Sequence, residues 1–326
     1  MRISVLGATG MVGQKLVEMI LLDPALELGE LVASESRIGK TYGSQVEWRG
    51  QEDLPTEVHR KVLKGFDEVT GAVVSALPAE IAKDVEVMLC EKGCEVFSNA
   101  SAYRMRADVP LLIPEINPDH LNLVKKQPWK GSLVTNPNCS TVFLSMGLYP
   151  LSRLGEVEEV HAVTLQAASG AGLPGVPSMD LLGSVIPFIS GEEAKMERES
   201  RKILGTLESP AAFQITAQAN RVPVVDGHLV CLQVRMKQDI SVALLKEKIV
   251  EFEREFPQGW KLWEAENMPQ TRRVLHAFDM RTHIGKIRQG TDPRSIALVA
   301  LGHNLVRGAA GAALANLKAY QEFKSR

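Results

Sequence analysis

A glycine-rich turn near the amino terminus constrains the fold of this chain more than any other feature. The turn reads Gly-Ala-Thr-Gly-Met-Val-Gly over residues 7–13, directly after the apolar run Ile3–Leu6. Apolar residues from Val12 to Ile20 then recur with the spacing of one helical face. A strand, a glycine turn and a helix N terminus form the arrangement in which backbone N–H groups approach a pyrophosphate. The segment predicts a dinucleotide-binding domain, although its GxxGxxG spacing also permits a glycine-rich turn without a ligand.

Short apolar runs and helical patterns continue to alternate after this turn. Residues 28–33, 72–77 and 95–97 are predicted strands, and residues 80–91 are a predicted helix closed by Gly93. Such alternation favours a parallel sheet with helices on both faces. The first part of the chain is therefore expected to be a Rossmann-type α/β domain.

The pattern changes in the second half of the chain. Residues 157–168 and 228–237 alternate with period two, as long strands with one buried face do. Residues 192–204 and 241–256 have helical spacing, with Ser241 as a plausible N-cap. These elements predict an α+β domain with a mixed, largely antiparallel sheet. The boundary is expected near residues 133–140.

Composition excludes several classes of partner. The 326 residues carry 37 basic and 39 acidic side chains, so a formal net charge of −2 favours neither nucleic acid nor an anionic membrane. No apolar run reaches the length of a membrane span. Glycines follow the first apolar run at once, where a signal peptide would continue with apolar residues, so the start is interpreted as a strand. A cytoplasmic protein is therefore expected. The charge balance favours a small molecule as its substrate.

The four cysteines indicate neither a disulfide framework nor a zinc site, and no metal site is expected. Cys90, Cys94 and Cys231 lie in predicted helix or strand and are interpreted as ordinary buried thiols. Cys139 is different, because it lies where the predicted strand at residues 133–135 turns into an apolar helix. A helix N terminus stabilises a thiolate and can hold an oxyanion, so Cys139 is a candidate nucleophile.

The residues after the second strand bear on the choice of nucleotide. The sequence at positions 34–37 reads Ser-Glu-Ser-Arg, followed closely by Lys40. The hydroxyls of Ser34 and Ser36 and the guanidinium of Arg37 suit a 2′-phosphate, which favours NADP. Glu35 could instead bind the ribose of NAD, and a solvated loop without a ligand is the other alternative.

A catalytic thiolate needs an acid/base partner, and His228 is the candidate. It follows the turn Pro223–Gly227, with Arg221 seven residues before it. On local evidence alone, however, a histidine at the start of a strand is more often structural. Glu192 and Lys195 would share a helix face, either as an ion pair or as a site for a zwitterionic or phosphorylated substrate.

Taken together, these motifs resemble the aspartate-semialdehyde dehydrogenase family, in the version common in archaea and fungi, over nearly the whole chain. The segments that carry the resemblance are Gly7–Gly13, Ser34–Tyr42, Ser75–Pro78, Ser98–Ala100, Arg104–Met105, Val109–Asn117, Asn136–Thr141, Gln166–Gly172, Gly191–Lys195, Asn220–His228 and Leu301–Gly311.

The resemblance implies an activity and a set of catalytic residues. The activity is the NADPH-dependent reductive dephosphorylation of L-4-aspartyl phosphate to L-aspartate 4-semialdehyde, which serves lysine, threonine and methionine biosynthesis. Cys139 matches the nucleophile that forms a thioester, and His228 matches the acid/base residue. Asn138 and Gln166 match residues that hold the reacting centre.

The resemblance also implies binding residues and a domain division. Arg221 and Glu192 match the groups that bind the substrate carboxylate and amino group, while Lys195 and Arg104 match the phosphate contacts. The matching NADP contacts are Gly7, Thr9, Gly10, Met11, Val12, Gly13, Ser34, Ser36, Arg37, Ser75, Ala76, Leu77, Gly170 and Asn304. Residues 1–135 with 304–326 are expected to bind NADP, and residues 136–303 to form the catalytic and dimerisation domain of a homodimer or homotetramer.

Departures from the family pattern keep alternatives open. Arg106-Ala107 stands where an acidic residue is expected, so either Arg104 or Arg106 could meet phosphate. Malonyl-CoA reductase is the nearest alternative activity, and the acid at Glu192 favours the aspartyl substrate over it. N-acetyl-glutamyl-phosphate reductase fits the Asn136–Thr141 and Asn220–His228 segments less well. A non-catalytic nucleotide-binding protein would be expected to lack the nucleophile or base.

Overall fold

The structure, a computed structural model, describes all residues from Met1 to Arg326 and divides into two compact units. The first unit comprises Met1–Pro114, Pro118–Pro137 and Ala309–Arg326, and the second comprises Glu115–Asn117 and Asn138–Gly308. The chain thus passes from the first unit to the second after Pro137 and returns to the first after Gly308. The functional domain limits expected after residues 135 and 303 remain predictions.

The first unit is built on a five-stranded sheet. Its strands are β1 (Arg2–Leu6), β2 (Glu27–Val32), β3 (Ala72–Ser75), β4 (Glu95–Ser98) and β5 (Ser132–Thr135). Its α-helices are α1 (Met11–Leu22), α2 (Tyr42–Gln45), α3 (Thr56–His59), α4 (Ala79–Glu91) and α10 (Gly311–Ser325), with 3-10 turns at Glu35–Arg37, Phe66–Glu68 and Pro118–Lys126. All neighbouring strands are parallel, in the order β2-β1-β3-β4-β5. The predicted parallel sheet is confirmed.

Helices cover both faces of this sheet, which explains its apolar strands. β3 and β5 are buried along their whole length. One hydrophobic cluster joins β1 to α1 and to α10, and it includes Val5, Leu16 and Leu317. A second cluster joins the sheet to α4 through Leu89 and Cys90. A strand buried on both faces must be apolar throughout, as the sequence pattern indicated.

The second unit contains a six-stranded sheet. Its strands are β6 (Val157–Gln166), β7 (Gln214–Arg221), β8 (His228–Met236), β9 (Trp260–Leu262), β10 (Thr282–Gln289) and β11 (Ser295–Gly302). Its helices are α5 (Cys139–Ser152), α6 (Ser178–Leu181), α7 (Glu192–Ile203), α8 (Val242–Glu255) and α9 (Thr271–Val274), with a 3-10 turn at Ala168–Ala171. A short π-helix over Val306–Ala310 begins at the end of this unit and continues into the first. The order is β7-β6-β8-β11-β10-β9, with β6/β7 and β9/β10 parallel and the other pairs antiparallel. The expected mixed sheet is confirmed.

The two faces of the six-stranded sheet differ. Along β6, Val160, Ala162 and Thr164 are buried, whereas Val163 and Leu165 on the opposite side are more than one-third exposed. The buried side packs against α5. The other side of β6, β8 and β11 is called the open face below.

Two glutamates of α7 accept hydrogen bonds from backbone N–H groups of the edge strand β7. The Glu193 carboxylate accepts the Ala219 N–H at 3.1 Å, and the Glu197 carboxylate accepts the Ala217 N–H at 3.0 Å. An edge strand presents unpaired N–H groups, and these carboxylates bond two of them. These two bonds hold α7 against β7.

Several predicted boundaries were wrong by one or two residues. The strand expected to end at residue 168 ends at Gln166, because the Ala167 N–H donates to the ring of His228. The strand expected to reach residue 77 ends at Ser75, because Pro78 stands at the N-cap of α4 and the chain leaves the sheet to reach it. Ser241 occupies the N-cap position of α8, but its side chain forms no capping bond. None of the helices is both long and apolar enough to cross a membrane.

Candidate active site

The glycine-rich turn brings the ends of β1 and β3 together. Gly7 has φ +69°, and a β-carbon there would meet the Ala76 carbonyl oxygen at 2.7 Å. A β-carbon on Gly13 would meet the Gly7 carbonyl oxygen at 2.1 Å. Both positions therefore require glycine. The N terminus of α1 has no side-chain cap at Gly10, so its N–H groups can receive a phosphate at the point where the strand order reverses.

Arg37 reaches this turn from the end of β2. Its Nη1 donates to the Thr9 hydroxyl at 2.6 Å, and the Ser34 and Ser36 hydroxyls lie 3.4 Å apart nearby in sequence. Glu35 is exposed in the intervening 3-10 turn. A cation and hydroxyls beside the turn have the chemistry that binds a nucleotide phosphate.

A chain of amides follows the ends of β3, β4 and β5. The Asn99 amide donates to the Ser75 carbonyl at 2.8 Å, and the Asn136 amide donates to Asn99 Oδ1 at 3.0 Å. Ala76 touches Gly7, so residues Ser75–Leu77 lie beside the glycine turn. The sequence-predicted nucleotide residues of the first unit are thus brought together.

The two candidate arginines of the first unit have different surroundings. Arg104 is only 7% exposed, and its Nη2 donates to the Asn99 carbonyl at 2.6 Å. Arg106 binds Asp108 through two nitrogens at 2.6 and 2.9 Å and lies 4.6 Å above the Trp129 ring. The arrangement therefore ties Arg106 to a surface ion pair.

Cys139 is the first residue of α5, at the predicted turn between strand and helix. Asn138 is the N-cap, and its Oδ1 accepts the N–H groups of Ser140 and Thr141 at 2.9 and 3.2 Å. Cys139 is partly exposed. The positive end of the α5 dipole and the fixed turn favour a thiolate at this position.

His228 is the first residue of β8 and is fully buried. Its Nδ1 accepts the Ala167 N–H at 3.1 Å, while its Nε2 has no hydrogen-bond partner. Burial, helped by the charge of Arg221, lowers the pKa of His228 to about 3. The ring is therefore neutral near pH 7, and the bond at Nδ1 assigns its proton to Nε2.

Arg221, the last residue of β7, stands in the same site. Its Nη1 donates to the Ala167 carbonyl at 2.6 Å, so one residue holds both Arg221 and His228. Burial lowers the pKa of Arg221, and negative charge on Cys139 and Glu192 acts against that shift. The Gly170 backbone packs against Arg221 and His228, because a β-carbon there would meet them at 2.8 and 3.0 Å.

Glu192 is the centre of a buried amide network. Its Oε1 accepts Asn138 Nδ2 at 2.6 Å and Gln166 Nε2 at 3.3 Å. Lys195 Nζ lies 3.8 Å from the other oxygen, so the ion pair considered from the sequence is present but long. Four of the predicted residues are therefore neighbours.

Asn304 connects the loops around His228. Its Oδ1 accepts the Gly227 N–H at 2.8 Å, and its Nδ2 donates to the Ser169 hydroxyl at 2.8 Å. The side-chain amide thus binds protein groups on both sides. A cofactor contact by Asn304 stays a prediction.

Sequence reasoning missed several residues of this site. The Glu199 carboxylate accepts the Asn138 N–H at 2.7 Å, and Gly308 packs against Cys139. Ala167 supplies backbone groups to His228 and Arg221. Helical periodicity could have identified Glu199, because it lies two turns after Glu192 on the same face. No local pattern marks Ala167 or Gly308.

Comparison with known proteins gives consistent results for both halves of the chain. A family model described as "Semialdehyde dehydrogenase, NAD binding domain" matches residues 2–124, and one described as "Semialdehyde dehydrogenase, dimerisation domain" matches residues 148–307. The aspartate-semialdehyde dehydrogenase of Archaeoglobus fulgidus is 41% identical, over 96% of this chain and 96% of its own. That of Schizosaccharomyces pombe is 33% identical, over 97% and 96%.

A solved structure agrees with this similarity. The crystal structure of aspartate semialdehyde dehydrogenase with NADP from Candida albicans aligns with a TM-score of 0.87 and 33% identity. The alignment covers 98% of this chain and 99% of that chain. The similarity therefore extends through both units.

Proposed function

The chain belongs to the aspartate-semialdehyde dehydrogenase family, and we propose that it catalyses the NADPH-dependent reductive dephosphorylation of L-4-aspartyl phosphate. The products are L-aspartate 4-semialdehyde and phosphate, and the step serves lysine, threonine and methionine biosynthesis. The observation that carries the proposal is the set of contacts around the start of α5. Asn138, the N-cap directly before Cys139, donates to Glu192. Ala167 holds both His228 and Arg221.

The chain's own residues fit NADP. The glycines at positions 7 and 13 leave room that β-carbons would fill, and Arg37 stands on the same turn. NADPH, when bound, supplies the hydride that reduces the acyl group. We propose that Arg37 with Ser34 and Ser36 binds the 2′-phosphate, while Ser75–Leu77 line the nucleotide.

Cys139 is the proposed nucleophile. Its sulfur bonds to the acyl carbon of the substrate, and the bond from that carbon to the phosphate oxygen breaks, with the electron pair leaving on phosphate. The resulting thioester is reduced, and the carbon–sulfur bond then breaks to release the aldehyde and the thiolate. Two easier steps replace one difficult reduction.

His228 is proposed to stabilise the oxygen of the reacting carbonyl. Because its Nδ1 accepts the Ala167 N–H, Nε2 is the donor and has no protein partner. A neutral donor aimed into a buried site suits an oxyanion that forms only in the transition state. The acid/base role at the hemithioacetal oxygen, which the resemblance implies for His228, stays a prediction.

Substrate recognition is proposed for the charged side chains around Cys139. Arg221 would hold the substrate carboxylate through its planar guanidinium, and Glu192 would hold the amino group. Asn138 and Gln166 fix the Glu192 carboxylate with their amides. Lys195 and Arg104 are the proposed phosphate contacts.

The similarity to curated relatives does not favour malonyl-CoA reductase as the activity. A non-catalytic nucleotide-binding protein is also disfavoured, since Cys139, His228 and Arg221 are all present.

An oligomer is also proposed. The match to a dimerisation domain supports a homo-oligomer. The open face exposes Val163 and Leu165, so we propose it as the contact in a cytoplasmic homodimer or homotetramer. We further propose residues 1–135 and 304–326 as the NADP domain and residues 136–303 as the catalytic and dimerisation domain.

The reverse reaction tests the activity. Reduced-nicotinamide absorbance is followed with L-aspartate 4-semialdehyde, phosphate and NADP, beside a forward assay with malonyl-CoA and NADPH. Phosphate-dependent NADP reduction in the first assay alone is expected. Activity with malonyl-CoA alone would contradict the aspartyl substrate, and inactivity in both assays would contradict an enzyme of this class.

A further inference from the structure

Every polar group of Asn138 is bonded in the structure. Its side-chain oxygen caps α5, its side-chain nitrogen donates to Glu192, and its carbonyl accepts the Val142 N–H at 3.1 Å. Its backbone N–H donates to Glu199 Oε2 at 2.7 Å. The peptide that leads directly into Cys139 is therefore fixed at four points.

Glu199 is a buried carboxylate in contact with the buried residue Asn138. It is 2% exposed and lies on α7, two turns after Glu192, so both carboxylates face the start of α5. Burying a carboxylate is unfavourable unless hydrogen bonds compensate for lost water. A charge-assisted bond from a backbone N–H provides such compensation and is stronger than a neutral one.

We propose that Glu199 is a positioning residue for the nucleophile, acting through the Asn138 N–H to hold the turn that aims Cys139. Glu192 and Glu199 then have separate tasks, although both contact Asn138. Glu192 accepts the side-chain amide of Asn138 and is also the proposed contact for the substrate amino group. Glu199 accepts the backbone N–H of Asn138, and its proposed effect on the reaction passes through the position of Cys139. The inference deepens the proposed function, because it rests on Cys139 being the nucleophile.

The chain offers a matched control on the same helix. Glu197 also accepts a backbone N–H, but that N–H belongs to Ala217 in β7. Glu197→Ala and Glu199→Ala thus remove the same side chain and the same kind of bond. Glu199→Gln keeps an oxygen that can accept the Asn138 N–H while it removes the charge.

The first readout is residue-resolved amide hydrogen exchange of the NADP-bound protein. Glu199→Ala is expected to speed exchange at Asn138 about tenfold or more, because the buried N–H loses its acceptor. Glu197→Ala should leave Asn138 unchanged and speed exchange at Ala217 instead. Unchanged Asn138 exchange in Glu199→Ala would overturn the inference.

The second readout separates positioning from folding. Glu199→Ala is expected to lower kcat about tenfold or more with the KM for NADP within about twofold, whereas Glu199→Gln recovers most of kcat. Equal kcat values in Glu199→Ala and Glu197→Ala would overturn the inference. A Glu199→Gln variant with a kcat as low as that of Glu199→Ala would also overturn the inference. That result would show that an acceptor for the Asn138 N–H is not what maintains the rate.

Alkylation of Cys139 distinguishes a failure of the proposed function from a failure of the positioning role. A wild-type protein that keeps full turnover after Cys139 is alkylated would contradict the nucleophile itself. If alkylation of Cys139 stops turnover but Glu199→Ala remains fully active, only the positioning role fails.

Discussion

Gly308 lies so close to Cys139 that a β-carbon at position 308 would stand 2.8 Å from the Cys139 β-carbon. The adjacent Arg307 is 2% exposed and binds Glu115 through both guanidinium Nη atoms at 2.9 and 2.8 Å. This buried pair holds the segment that carries Gly308 against the start of α5. The backbone at Gly308 is therefore part of the wall around the nucleophile.

Gly308→Ala should impair the chemical step more than the fold. The new methyl group must displace Cys139, and a shift of about 1 Å at a reacting atom can cost about 100-fold in rate. We expect kcat to fall by that order while circular dichroism stays unchanged. Gly65→Ala is the control, because its β-carbon would meet Ile38 only at an ordinary 3.5 Å. Equal kcat values for the two variants would contradict this account.

The buried His228 should make stability depend on pH. Burial, with help from Arg221, lowers its pKa to about 3 in the folded state, against 6.5 for the unperturbed group. The unfolded chain therefore binds one more proton between these values, and the free energy of unfolding falls as pH decreases from 6.5 towards 3. The contribution of this single group is about 1.4 kcal/mol per pH unit.

Denaturant unfolding at several pH values checks this expectation. His228→Asn should flatten the dependence between pH 6.5 and 3, whereas replacement of the half-exposed His161 should not. Identical slopes for wild type and His228→Asn would show that His228 is not held neutral.

Arg37 should determine the preference for NADPH. Arg37→Ala is expected to raise the KM for NADPH about tenfold to 100-fold, since a hydrogen bond to a charged phosphate is lost. The KM for NADH should change little, because NADH lacks that phosphate. Arg49→Ala, which removes an exposed arginine paired with Glu47, is the control. An equal loss for both cofactors would contradict the assigned role.

The KM for phosphate can show whether Arg104 or Arg106 contacts the phosphate group. Arg104→Ala is expected to raise the KM for phosphate in the reverse reaction about tenfold or more, because a buried guanidinium is removed. Arg106→Ala should change it little, since Arg106 is bound to Asp108 and Trp129. The opposite ranking would transfer the phosphate contact to Arg106.

The sequence predicted those parts of the site that depend on local pattern. The glycine turn, the start of α5 at Cys139 and the start of β8 at His228 follow from strand, turn and helix signals within a few residues. The bond between Ala167 and His228 joins residues 61 positions apart, as does the bond between Asn138 and Glu199. Such contacts depend on how the strands are ordered in the sheet, which periodicity does not specify.

The sequence also did not predict which groups these side chains bind. The cofactor contact of Asn304 stays a prediction, and the sequence did not indicate that its amide also binds Gly227 and Ser169. Glu192 and Lys195 were expected as a possible ion pair, yet amides of Asn138 and Gln166 lie closer to the carboxylate. Spacing indicates which side chains share a face, but packing decides which atoms meet.

Trapping the acyl-enzyme tests the central claim, covalent catalysis by Cys139, most directly. The protein is mixed with L-4-aspartyl phosphate without NADPH, and released phosphate and the mass of the peptide containing Cys139 are measured together. The account predicts a burst of one phosphate per active site, an aspartyl adduct on Cys139, and neither signal in Cys139→Ala. Turnover by Cys139→Ala, or wild-type phosphate release only after NADPH is added and without an adduct, would contradict it.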